Sequence, residues 1–204
     1  MNYLILHGSF GSPGENWFPW LKLKLGEKGH NVYSPQLPVD DFNNFKELDE
    51  PRQTLQAWLK SIKPLAEELA ASGEDLTIIA HSIAPAFVLS LMDDSPNLKV
   101  KKLIAVSPFI HHGKASKMWQ FKKVNDSFSR AAETIARDQV KLNDINNRIN
   151  SAVVLFGDND PYVENEQSLK YAKLLNAEVI EIKNGGHLNA EAGYIKFKEL
   201  LSLI

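Results

Sequence analysis

The chain of 204 residues contains no cysteine. This absence excludes disulfide bonds, thiolate catalysis and cysteine-ligated zinc together. Other metal sites are not indicated, because the sequence has no His-Glu-x-x-His motif and its acidic residues do not cluster with histidines at ligand spacing. We therefore expect no metal ion, and any nucleophile must be a residue other than cysteine.

A strong charge of either sign is also missing. The formal net charge is −2, which predicts neither nucleic acid nor anionic lipid as a partner. No stretch approaches the roughly 20 apolar residues of a membrane span, and the N-terminal apolar run ends at His7 without a basic region before it. We expect a single cytoplasmic domain without a membrane partner. The sequence does not indicate its oligomeric state.

Short apolar runs rich in β-branched residues alternate with longer segments of helical period. This alternation predicts an α/β fold with a parallel six-stranded sheet and helices on both faces. The predicted strands are 3–6, 31–33, 76–80, 101–106, 152–156 and 178–182. The predicted helices are 17–28, 51–71, 84–92, 165–175 and 193–203, with Pro51 opening the second helix.

One connection is about three times longer than the others and spans residues 109–150. Residues 111–150 contain eight Lys or Arg against four Asp or Glu and show the pattern of two or more helices. We predict a helical, lid-like insertion over the site, within the same domain. Its charge fits either a solvated helical surface or a lid that favours anionic substrates.

Residues with catalytic chemistry follow four of the predicted strands. Ligands of open parallel sheets bind beyond the carboxyl ends of the strands, so these residues should lie close together. A small-residue loop, residues 7–12, follows the first strand, and Ser82 follows the third. The pair Asp158 and Asp160 follows the fifth strand, and the Gly185-Gly186-His187 loop follows the sixth.

A serine hydroxyl alone is a weak nucleophile, so an imidazole must accept its proton and a carboxylate must orient the imidazole. The order Ser, Asp, His along the chain is the one found in α/β-hydrolases. We predict Ser82 as nucleophile and His187 as general base, with Asp158 and Asp160 both open as the acid. The other histidines fit packing, turn or surface positions; they are His7, His30, His81, His111 and His112.

The chain resembles the compact α/β-hydrolases of the retinoblastoma-binding-protein-nine type, a small family of serine hydrolases. The motifs that carry the resemblance are His7-Gly8, Trp17-Phe18-Pro19-Trp20, Ser34-Pro35-Gln36-Leu37-Pro38, His81-Ser82, Gly157-Asp158-Asn159-Asp160-Pro161 and Gly186-His187. The resemblance implies a six-stranded sheet that lacks the first two strands of larger hydrolases. It also implies esterase or peptidase activity without a cofactor, and Asp160, the residue before the proline, as the acid.

The turn around Ser82 departs from the G-x-S-x-G pattern, because Ala80 and Ala84 replace both glycines. Alanine is the smallest substitute, and Pro85 suits the first turn of a helix. In this fold one oxyanion donor is the N–H after the nucleophile, here that of Ile83. The motif after the first strand indicates Ser9 as the second donor, with Phe10 as the alternative.

Together these features predict a serine hydrolase that acts on a small carboxylic ester, with amide and thioester as further possibilities for the bond. The rival hypothesis is a non-catalytic binding protein that has kept the fold while the serine turn diverged. The aromatic cluster of Trp17, Phe18 and Trp20 is interpreted as core. Its alternatives are a pocket wall or a clamp on the oxyanion loop.

Overall fold

The computed structural model describes residues 1–42, 52–108, 110 and 142–204. Most of the predicted insertion lies outside these residues, as do His111 and His112, so its predicted role as a lid stays a prediction. The described end of the segment contains helix α4, Leu142–Asn146, and the start of strand β5, Ile149–Gly157. The predicted end of the insertion at residue 150 is therefore wrong, because Ile149 already pairs with Val100 in the sheet.

The predicted parallel sheet is confirmed, with six strands in the order β2-β1-β3-β4-β5-β6. All pairings between neighbouring strands are parallel. The remaining strands are β1, Asn2–Leu6; β2, Asn31–Tyr33; β3, Leu76–His81; β4, Val100–Val106; and β6, Glu178–Ile182. Strand β3, which leads to Ser82, lies near the middle of the sheet.

Helices cover both faces of the sheet. They are α1, Phe18–Glu27; α2, Leu55–Ala71; α3, Ala84–Asp94; α5, Asn165–Leu175; and α6, Lys198–Leu201. Successive strand residues point to opposite faces, so Leu4 packs in one core and Ile5 in the other. Residues of α2, α3, α4 and α5 fill the first core, and residues of α1 and α6 fill the second.

Two helix starts differ from the sequence predictions. Helix α2 begins at Leu55 and not near Pro51, because the Thr54 hydroxyl caps it by accepting a hydrogen bond from Ala57 N at 3.2 Å. The last helix begins at Lys198 and not at residue 193, because Gly193 has φ of +90° in a turn. The apolar residues before Lys198 therefore pack from irregular backbone.

Glycine and asparagine residues in left-handed conformations follow three of the helices. Gly29 and Gly73 have φ of +80° and +68° just beyond α1 and α2. Asn176 adopts the left-handed conformation, with φ of +48°, at the C-cap of α5. These stops return the chain to the amino ends of the strands.

Candidate active site

Ser82 occupies a tight turn between β3 and α3. Its φ of +64° is a conformation that residues with a β-carbon rarely adopt, and its N–H donates to Val106 O at 2.9 Å. Ala80 and Ala84 on either side are fully buried, and Pro85 lies in the first turn of α3 as predicted. The strand, the strained serine and the helix form the predicted elbow with alanines in place of glycines.

The loop after β1 packs directly against this serine. A β-carbon placed on Gly8 would lie 2.7 Å from Ser82 Cβ and 3.2 Å from Ser82 Oγ. These distances are too short for any side chain at position 8, so only glycine permits the approach. The loop that was predicted to supply an oxyanion donor is therefore adjacent to the Ser82 side chain.

A buried imidazole fixes the shape of this loop. His7 Nε2 accepts a hydrogen bond from Leu37 N at 3.0 Å, so the ring proton resides on Nδ1, which donates to Gly8 O at 2.8 Å. Burial lowers the pKa of His7, which favours this neutral form. His7 is thus a structural residue of the loop.

A second contact orients the next part of the loop. Gln53 is buried, and its Oε1 accepts a hydrogen bond from Phe10 N at 3.2 Å. The Asp40 carboxylate in turn accepts from the N–H groups of Arg52 and Gln53, at 2.8 Å and 3.3 Å. The Phe10 N–H is therefore engaged by the protein. Sequence reasoning missed Gln53, since its partner is 43 residues away and no motif joins them.

His187 and Asp160 meet at the neighbouring strand ends. Nδ1 of His187 donates to Asp160 Oδ2 at 2.7 Å, and the two residues are 7% and 2% exposed. The other carboxylate oxygen of Asp160 accepts from Tyr162 N and Val163 N at 2.8 Å and 3.0 Å. These bonds hold the carboxylate in place beside the imidazole, and they leave Nε2 as the ring nitrogen for another partner.

Asp158 makes a different contact from the one at Asp160. Its Oδ1 accepts from Asn184 N at 2.6 Å, and Asn159 Oδ1 accepts from Gly186 N at 2.7 Å. Both side chains therefore join the loop after β5 to the backbone of the loop after β6. A β-carbon on Gly157 would lie 2.6 Å from Gly186 N, so this junction also requires a glycine.

His81 and Trp17 contact the backbone of the histidine loop. His81 Nε2 donates to His187 O at 2.9 Å, and Trp17 Nε1 donates to Leu188 O at the same distance. The centroids of the His81 and His187 rings are 4.8 Å apart. Trp17 is fully buried, as the core interpretation predicts. Its indole bonds to the loop of His187, whereas the clamp alternative named the oxyanion loop.

Tyr162 lies against the ring of His187. The two ring centroids are 5.3 Å apart in an edge-to-face arrangement, and the Tyr162 hydroxyl donates to Glu191 Oε2 at 2.6 Å. This hydrogen bond, with a smaller effect of burial, raises the pKa of Tyr162 to about 12. The sequence analysis missed this pair, although an aromatic residue two positions after the predicted acid was a visible signal.

Among residues 1–42, 52–108, 110 and 142–204, no group of three or more His, Cys, Asp and Glu is arranged to hold a metal ion. Within the same residues, none of the helices is both long and apolar enough to cross a bilayer.

A family model described as serine hydrolase matches residues 3–204. The chain belongs to the serine hydrolase family. This serine hydrolase is 26% identical over 194 residues to YdeN of Bacillus subtilis (strain 168), in an alignment that covers 93% of this chain and 87% of YdeN. The crystal structure of the ydeN gene product matches with a TM-score of 0.77 and 20% identity, covering 99% and 95% of the two chains.

More distant solved structures share the fold. Est1E from Butyrivibrio proteoclasticus, solved with ferulic acid bound, matches with a TM-score of 0.64 and 17% identity, over 98% of this chain and 88% of Est1E. The monoacylglycerol lipase of Paleococcus ferrophilus matches with a TM-score of 0.60 and 15% identity, over 89% and 84%. The predicted α/β-hydrolase fold of this serine hydrolase is confirmed.

The stability of this serine hydrolase should depend on pH through His81. Burial lowers the pKa of His81 from its ordinary 6.5 to about 3. Between these values the unfolded chain binds a proton that the folded protein does not, so the free energy of unfolding falls as pH falls from 6.5 towards 3. Urea titrations from about pH 8 to about pH 4 should show that His81→Gln removes about one proton of this dependence.

The buried His7 provides the internal reference for this experiment. Burial lowers its pKa too, so it contributes the same sign of pH dependence in the wild type and in the variant. The slope of the free energy of unfolding against pH should therefore decrease in His81→Gln but not vanish. Equal slopes in the two proteins would show that His81 is not held neutral in the folded state.

Proposed function

We propose that this serine hydrolase cleaves small carboxylic esters through an acyl-enzyme, with Ser82 as nucleophile, His187 as general base and Asp160 as the orienting carboxylate. The observation that carries the proposal is the buried hydrogen bond of 2.7 Å between His187 Nδ1 and Asp160 Oδ2. His81, the residue next to Ser82, contacts His187 as well, which supports a base adjacent to the serine turn.

The proposed chemistry begins when Ser82 Oγ attacks the carbonyl carbon while His187 Nε2 takes its proton. The Nδ1–H of His187 stays hydrogen-bonded to the Asp160 carboxylate, and the negative charge of the carboxylate stabilises the imidazolium that forms. The imidazolium then protonates the leaving alcohol as the carbon–oxygen bond breaks, and an acyl-serine remains. Water attacks this ester with His187 again as base, and the carboxylic acid and free Ser82 are released.

The negative charge that develops on the substrate oxygen requires two N–H donors. Ile83 is the N-cap of α3, and N–H groups at a helix start have no acceptor within the helix. Ser9 follows Gly8, which packs on Ser82, and it is the second donor that we propose. The bond from Phe10 N to Gln53 supports Ser9 over the alternative Phe10.

A carboxylic ester is the substrate bond that we propose first, since the chain shares its fold with a monoacylglycerol lipase, whose name describes a lipid-cleaving protein. The same three residues also serve amide and thioester cleavage, so the substrate panel includes both. The narrower kinship with the retinoblastoma-binding-protein-nine type rests on the sequence motifs. A panel of acyl esters, thioesters and aminoacyl amides tests the bond type directly.

Asp160→Asn should lower kcat by about 10⁴-fold, because the amide favours the wrong tautomer of the imidazole. Asp158→Asn is the matched control, since its carboxylate bonds to Asn184 N and not to His187. It should retain most of the turnover, measured on an activated ester at neutral pH with folding checked by thermal melting. If Asp158→Asn is the more severely impaired variant, the proposed acid is wrong.

Gly8→Ala should abolish most of the ester hydrolysis, because the new methyl group would lie 2.7 Å from Ser82 Cβ and displace the loop or the serine. Gly14→Ala, in the same connection, is the control, since its nearest contact would be an ordinary 3.7 Å to Ser12 Oγ. We expect a decrease in kcat of about 100-fold for Gly8→Ala only. Equal activity of both variants would show that the close packing of Gly8 on Ser82 is not needed for ester hydrolysis.

A further inference from the structure

Leu188, the residue after His187, is held in a strained backbone conformation. Its φ is +50°, although it is a bulky apolar residue and its side chain is fully buried. Such residues avoid the left-handed region, and a strained backbone persists only where surrounding contacts impose it. The structure must therefore contain contacts that impose this conformation next to His187.

Two buried donors provide these contacts on consecutive carbonyl groups. His81 Nε2 donates to the carbonyl of His187, and Trp17 Nε1 donates to the carbonyl of Leu188, each at 2.9 Å. Both donors are distant in sequence from the loop: His81 ends β3, and Trp17 is the N-cap of α1. The two hydrogen bonds hold the two peptide groups that flank the Leu188 Cα, and they therefore fix the φ and ψ angles of Leu188.

The donors are themselves held by packing. Trp17 is fully buried and His81 is 5% exposed, and their rings meet edge to face with centroids 6.2 Å apart. Phe18 packs edge to face on His81 at 6.0 Å. The low pKa of the buried His81 keeps it neutral, so it adds no positive charge beside an imidazole that must accept a proton.

We propose that His81 and Trp17 are positioning residues for the general base, and that they hold His187 in its reactive orientation through the carbonyls of His187 and Leu188. The inference rests on the proposed function, because it assigns a role towards the base. His81 precedes Ser82 directly, so the end of β3 places the nucleophile and the loop of the base together. Asp160 orients the ring of His187, and the two donors orient its backbone.

The test uses His81→Phe, which keeps an aromatic ring but removes the donor, and His81→Gln, whose amide nitrogen can replace Nε2 as donor. Trp17→Phe removes the indole N–H. Trp58→Phe is the matched control, because Trp58 is also fully buried and donates its indole N–H to a backbone carbonyl, that of Pro38, at 2.6 Å. All variants are assayed well below their melting temperatures.

We expect kcat on an activated ester to fall about 10- to 100-fold in His81→Phe and Trp17→Phe, with KM changed little, because a misplaced base affects the chemical step and not substrate binding. His81→Gln should recover kcat to within about threefold of the wild type. Trp58→Phe should stay near the wild-type value. Equal kcat for His81→Phe, Trp17→Phe and Trp58→Phe overturns the positioning role and leaves the proposed function intact.

A readout independent of turnover separates this inference from the proposed function. The Nδ1 proton of His187, hydrogen-bonded to Asp160, should give a downfield proton NMR signal that is assigned by its loss in Asp160→Asn. Loss or broadening of this signal in His81→Phe and Trp17→Phe, but not in Trp58→Phe, supports the positioning role even if the wild type hydrolyses no ester. An unchanged signal in both donor variants overturns it.

Discussion

The hydrogen bond between His187 and Asp160 joins two loops that follow neighbouring strands, and most of the polar structure around it serves to bring these loops together. Asp158 and Asn159 bond to the backbone of the histidine loop, and glycine at position 157 allows the close approach to Gly186. In a site so little exposed, a hydrogen bond is stronger than in water, and an unpaired polar group is costly. The conformations of the two loops and the hydrogen bond between His187 and Asp160 therefore depend on each other.

Backbone strain is concentrated at the same edge of the sheet. Among the described residues, four that are neither glycine nor asparagine have φ between +47° and +64°. They are Phe10, Ser82, Ser107 and Leu188, and each follows a strand at its carboxyl end. Such conformations are retained when packing imposes them, and they cluster at functional sites. Here Gln53 holds Phe10, the sheet holds Ser82 and two aromatic donors hold Leu188.

Much of the sheet could be predicted from the sequence, because buried parallel strands are short apolar runs between polar turns. Strands β2 and β6 were predicted with their observed limits. The helix expected from residue 193 could not be corrected from the sequence, since Tyr194 and Phe197 have helical spacing yet pack from irregular backbone. Likewise, the Thr54 cap determines that α2 starts at Leu55. The sequence offers both Thr54 and Pro51 as residues that can begin a helix, and it does not decide between them.

The three side chains of the proposed chemistry were predicted from their positions after strands, and the family resemblance favoured Asp160 over Asp158. The sequence does not indicate which side chains donate hydrogen bonds to backbone carbonyls. Trp17 and His81 are apolar or partly apolar, so their positions in the sequence are those of core residues. Their acceptors are backbone carbonyls, which every residue has, so no residue type indicates the acceptor. Their contacts with the histidine loop, 171 and 106 residues away, become visible only in the folded structure.

We infer that Ser82 is an activated nucleophile, and labelling with a fluorophosphonate probe is the sharpest test of this role. An activated serine beside a base attacks phosphorus, whereas an ordinary serine does not. Mass spectrometry of the labelled wild type should locate one adduct on Ser82. Labelling should be lost in Ser82→Ala and strongly reduced in His187→Ala. A folded wild-type protein that forms no adduct would contradict this role of Ser82 and favour a binding protein on a hydrolase fold.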